Sequence, residues 1–356
     1  MTTTLSPKRE LWLLLTLAGI QFTHIVDFMV MMPLGPQFTQ LFNISDAKFG
    51  LLVSAYTFSA GASGLLASFY VDRFSRKKLL LTLYVLFAVA SVAGVPIGLF
   101  LASQFNWHIP FFVIAGVCVL FATGAYITLP PLADHLKQHR ASPLASIQEV
   151  LRDANHQKAF AFTALMMIAA FTVIPYITIY TTTNGGLTMK QVPYVYLLGG
   201  AVTLFTARLI GQLTDSVGKS KMFKITAVFG MLAMLLVTVS ASFGLWGILL
   251  VTTLMFIGLN GRMIPGMAIA TSAANPKLRG TFMALNSSVQ SAAMGLASFV
   301  GGLVISRDAQ GLVQFFWVNA LIGGVATVLS VLLVSRMYLY GAAPEQTISP
   351  VAARVT

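Results

Sequence analysis

The run from Phe49 to Val71 carries no charged side chain, and a helix needs about 20 apolar residues to cross the hydrocarbon core of a bilayer. Runs of this kind recur along the chain and restrict it to an all-α polytopic membrane protein. The first, Leu11–Met32, is interrupted only by His24 and Asp27. The stretch Leu79–Pro131, free of Asp, Glu, Lys and Arg, has room for two spans, Leu79–Ala102 and Ile109–Thr128, with Trp107 in the turn between them at an expected interface. The second half offers six: Ala159–Thr181, Pro193–Leu213, Met222–Ser240, Leu245–Ala270, Gly280–Ile305 and Val313–Tyr340. The reading is therefore four spans followed by six. A composition of 57% hydrophobic and 9% charged residues excludes a soluble globule.

A net charge of +12 points to nucleic acid in a soluble domain. Here the basic residues sit in short loops between apolar runs, so no nucleic-acid partner is expected, and the charge reports orientation instead. Placing the loop after the second span inside puts Lys8, Arg9, Arg73, Arg76, Lys77, Lys78, Lys137, Arg140, Arg152, Lys158, Lys219, Lys221, Lys224, Lys277, Arg279, Arg336 and Arg354 inside. Only Lys48, Lys190 and Arg307 then fall outside. Both termini are expected in the cytoplasm, in a cell inner (plasma) membrane. The N-terminal MTTTLSPKRE runs into the first span without a small-residue cleavage pattern, so no cleavable signal is expected. The single cysteine, Cys118, excludes an intramolecular disulfide. No nucleotide loop, zinc spacing or nucleophile constellation is present, so the sequence reads as neither an enzyme nor a holder of a metal or cofactor.

The loop Ser68–Lys78, SFYVDRFSRKK, returns in weaker form as Gly211–Lys221, GQLTDSVGKSK. Asp215 aligns with Asp72, Lys219 with Arg76 and Lys221 with Lys78. Each copy lies between the second and third spans of its half, the mark of an internal duplication. The pair resembles the G-x-x-x-D-R-x-G-R-K loop between helices two and three of major facilitator superfamily transporters, and its echo between helices eight and nine. The first copy lacks both glycines, with Ser68 and Ser75 in their places.

That resemblance implies two pseudo-symmetric helical bundles, alternating access and a small-molecule cargo. It gives Asp72, Arg73, Arg76, Lys77, Asp215 and Lys219 gating roles, with Asp72 meeting the start of helix eleven near Gly280. Twelve helices are expected of the family, and the first half is short. From its aspartate to its end it has 68 fewer residues than the second, roughly two spans with loops. Leu79–Phe87 resembles the start of helix three, and the segment from Ser91, with GVPIG, resembles helix five. A deletion joined near Phe87–Ala90 is one reading, and a genuine ten-helix family the other. The expected domains are a shortened bundle over 1–129, a cytoplasmic linker over 130–158, a six-helix bundle over 159–340 and a tail over 341–356. In the linker, Ser142-Pro143 reads as a helix start, followed by Leu144, Ile147 and Leu151 at helical spacing. That helix lies either on the membrane surface or in solvent as part of the linker.

Charges at membrane depth are costly and mark function. Asp27, with His24 three residues before it, is the candidate proton-coupling site, since desolvation favours a carboxylate that binds and releases protons. The alternatives are a structural carboxylate and a histidine that merely hydrogen-bonds it. Arg262, in GLNGRMIPGMAIA, either lines a polar cavity or snorkels to headgroups. The resemblance also nominates Phe28, Met31, Tyr176, Tyr180 and Asn260 as cavity residues, against a packing role for the aromatics and methionines. The MMPLGP ending of the first span and GVPIG resemble the drug and sugar efflux branch, implying proton antiport of an amphipathic drug or sugar-like molecule. Proton-driven uptake and a non-transporting remnant are the other readings.

Overall fold

The computed structural model describes residues 32–70, 123 and 143–340. Nearly all of the expected spans Leu11–Met32, Leu79–Ala102 and Ile109–Thr128 lies outside the described residues, as do the Phe87–Ala90 join, Cys118 and the tail.

Chain entry is set by Pro36, which stands in the first turn of the short helix α1, Gly35–Leu41, and directs Phe38 inward against Phe49. Helix α2, Asp46–Tyr70, has 25 residues, about 37 Å at helical rise, and begins on a carboxylate, the charge an N-terminus favours. Helix α3, Pro143–Arg152, starts at the expected proline. Its inward face carries Ile147 and Val150, packed with Ala159, Phe160, Ala274 and Phe282. Leu151, expected on that face, is exposed, because the buried stripe runs through Val150 instead.

The second half consists of α4, Ala154–Phe171; α5, Ile177–Thr183; α6, Val192–Val217; α7, Lys219–Val237; α8, Gly244–Ala273; α9, Arg279–Val304; and α10, Phe316–Val334. Among the described residues, six helical segments are long and apolar enough to cross a membrane, with α4 and α5 counted as one. Each coincides with an expected span to within a few residues, with two differences. The first span of this half is broken at Pro175 by a 3-10 turn, Ile174–Tyr176, because proline has no N–H to continue the helix. The last span does not begin at Val313. Val313–Gln314 instead pairs antiparallel with Ser306–Arg307, as strands β2 and β1 of a hairpin. Asp308 builds its turn, accepting the N–H groups of Gln310 and Leu312 at 3.0 and 2.8 Å, and Gly311 supplies a φ of 81°.

The two halves meet along α2 and α9, which run antiparallel. Ser54 Oγ donates across the interface to the Gly295 carbonyl at 2.7 Å. Further along, a Cβ on Gly61 would lie 3.2 Å from the Ser288 carbonyl oxygen, so the helices stay in close contact there. At the hairpin end, a Cβ on Gly50 would stand 2.8 Å from the Ser298 carbonyl and collide with the Tyr176 hydroxyl. Only glycine lets α2 come this close. The core along this face is aromatic: Phe49 meets Tyr176 edge-on at 6.4 Å, and Tyr180 stacks on Phe316 at 4.5 Å.

Candidate functional site

Asp27, His24, Phe28, Met31, Asp72, Arg73, Arg76 and Lys77 lie outside the described residues. Arg262 stands in the middle of α8 and is 1% exposed. Its Nη1 donates to Thr327 Oγ1 on α10 at 3.1 Å, and its Nη2 to the Met166 carbonyl on α4 at 3.2 Å. Thr327 in turn donates to the Gly323 carbonyl at 2.8 Å. Nε of Arg262 has no acceptor among the described residues, and no carboxylate there pairs with the guanidinium. A cation held by neutral acceptors in an apolar bundle keeps much of its desolvation cost, so among the described residues the site is electrostatically incomplete. Asn260, two residues earlier, is exposed and bonds its own helix at the Phe256 carbonyl, 3.0 Å away.

Tyr176 and Tyr180 are buried with their hydroxyls engaged: Tyr176 donates to the Ser298 carbonyl and Tyr180 to that of Thr238. Between them, Thr178 shares a 2.7 Å hydrogen bond with the Tyr196 hydroxyl on α6. The broken helix thus turns one polar residue toward α9, one toward α6 and one toward the end of α7. Asp215 is exposed in the last turn of α6 and makes no ion pair with any described residue. Lys219, which opens α7 after the single residue Gly218 (φ 97°), donates to Ser272 Oγ on α8 at 2.8 Å. Nearby, His156 is fully buried. Its Nε2 accepts the Asn275 N–H at 2.9 Å, which leaves the ring proton on Nδ1 for the Val150 carbonyl at 3.2 Å. Asn155 bonds the Ala273 carbonyl and both backbone groups of Tyr338.

At the opposite end lies a contact that sequence reasoning missed. Arg307 in β1 grips Asp46 at the start of α2 with both arms of its fork, Nε–Oδ2 2.8 Å and Nη2–Oδ1 2.9 Å. Asp46 is 5% exposed and Arg307 39%. The hydrogen bond to the carboxylate raises the guanidinium's pKa above its ordinary value, partial burial opposes the shift, and the charge of Asp46 adds to it. The one signal in sequence was that Arg307 belongs to the small basic set expected outside. Among the described residues no three His, Cys, Asp or Glu side chains converge as metal ligands.

A uncharacterized MFS-type transporter of Bacillus subtilis (strain 168), YtbD, is 25% identical over 298 residues, covering 81% of this chain and 72% of its own. The fold is similar to that of the D-xylose-proton symporter, with a TM-score of 0.66, 15% identity, and 90% of this chain and 96% of that one covered. It is also similar to a mutant of the nucleoside transporter NupG, with a TM-score of 0.65, 13% identity, and coverage of 93% and 100%. The Major Facilitator Superfamily model matches residues 17–95 and 87–298. With most of its length matched, and with its halves meeting helix against helix, the chain belongs to the major facilitator superfamily: it is a multi-pass membrane transporter of small molecules working by alternating access, and not an enzyme.

Proposed function

We propose that the protein couples transport of a small polar molecule to protons and moves both inward. The carrying observation is the likeness in fold, over 90% of the chain, to a sugar–proton symporter. The nucleoside transporter with a similar TM-score argues for the same polar class of cargo. The efflux direction expected from MMPLGP and GVPIG is not that of a symporter and becomes the second reading. Its support is that resemblance alone.

The cytoplasmic side in this reading is the end carrying Arg152, Lys158, Lys219, Lys277 and Arg336. Lys48, Lys190 and Arg307 belong to the other, hairpin end, the uneven distribution that the positive-inside rule favours. The deletion reading also gains support, since the two matched stretches meet at residues 87–95, across the expected join. Asp27 is the proposed proton carrier, Arg262 the polar centre of the second bundle, and Asp215 and Lys219 the inner gating loop.

The test is transport in proteoliposomes with a panel of labelled sugars and nucleosides. An outside-acid gradient should drive accumulation, and cargo addition should raise the external pH. Cargo-driven proton release from the vesicles would establish antiport instead, and absence of counterflow with every cargo would favour the remnant. Asp27→Asn should keep counterflow but lose its response to the gradient; an unchanged response returns Asp27 to a structural role.

A further inference from the structure

Asp46 and Arg307 are 261 residues apart and belong to different halves. Both are fixed before they meet. The carboxylate sits in the first turn of α2, where the helix N-terminus favours negative charge. The guanidinium sits on a hairpin tied to the second half by Asn184 at the end of α5. That side chain donates to the Val313 carbonyl and accepts the Val313 N–H, both at 2.9 Å. Asp308 holds the same hairpin closed through Gln314 Nε2 at 2.9 Å. Neither partner can follow the other if the halves part at this face, because each is anchored to its own bundle. A bidentate carboxylate–guanidinium pair is also intolerant of displacement, since both hydrogen bonds are lost together. The pair lies directly over the Gly50–Tyr176–Ser298 contact, so the closure it marks extends into the packed core.

We propose that Asp46 and Arg307 form a latch between the halves, made in the state closed at the hairpin face and broken in the state open there. Its role is to position the halves and set the balance between the two states. The proposal uses the alternating access of the family and is independent of the direction and coupling proposed above.

The experiment places spin labels at Lys48→Cys and Gln310→Cys, both exposed positions flanking the pair, in a Cys118→Ala background of the full chain in lipid nanodiscs. Pulsed dipolar distances are measured without cargo, so the outcome does not depend on knowing the substrate. The parent should show a dominant short distance. Arg307→Gln should raise the long-distance population several-fold, and Arg307→Lys, which keeps the charge without the fork, should lie between it and the parent. If Arg307→Gln does not fold, Asp46→Asn, which keeps shape and one acceptor, should give the same shift. An unchanged distribution in Arg307→Gln and Asp46→Asn overturns the latch.

Discussion

At the scale of single residues, Arg262 is where the energetics are sharpest. Its guanidinium is held by one hydroxyl and one carbonyl, with no described carboxylate. Thr327→Val keeps the shape of the partner but leaves a buried N–H of a charged group without its acceptor, a loss of about 1–3 kcal/mol. Arg262→Met removes the charge together with its demand for partners and its desolvation cost. Thermal unfolding in detergent should therefore rank Thr327→Val below Arg262→Met. Equal or reversed ranking would mean that the guanidinium has a compensating charge elsewhere. If Arg262 also handles cargo, Arg262→Met should remain folded and fail in counterflow, whereas Thr327→Val should still exchange. The sequence marked Arg262 because a charge within an apolar run is conspicuous. It could not show the partners, which lie 65 and 96 residues away on other helices. Asp46 escaped notice for the opposite reason, since a carboxylate in a loop before a span is ordinary until its partner is known.

At the scale of elements, hydropathy located the helices of the second half well, because each carries a long apolar run whether its side chains face the bundle interior, as in α4, or its outside, as in α6. It located their interruptions poorly. Pro175 lies within an unbroken apolar run, and Val313 read as the start of the last span although the Asp308–Gly311 turn folds it back into a hairpin. Hydropathy carries no record of backbone direction. The antiparallel seam of α2 and α9 was also invisible, although its glycines were in plain sight. Gly50→Val should push α2 away from Ser298 and Tyr176, a cost of about 1–3 kcal/mol for overpacking. The unfolding midpoint should fall, and Gly50→Ala should lie between the variant and the parent. A midpoint unaltered by valine would show that the seam relaxes without loss.

At the scale of the whole molecule, the two halves invite a direct comparison. If the chain has lost the end of helix three, helix four and the start of helix five, the first bundle lacks a wall that the second retains. A donor segment inserted at Phe87–Ala90 should then raise the counterflow rate, and equal rates would mean that the short form is a complete transporter. The other whole-molecule consequence comes from the cluster of Asp153, Asn155 and His156. Asp153 caps α4 through the N–H groups of Asn155 and His156, at 2.7 and 3.2 Å. With Asn155 on Ala273 and Tyr338, and His156 on Val150 and Asn275, it rivets α3 to the second bundle. A connector fastened this way cannot act as slack rope between two rocking bodies. Helix α3 moves with the second bundle, so the body that rocks begins at Pro143 and not at α4.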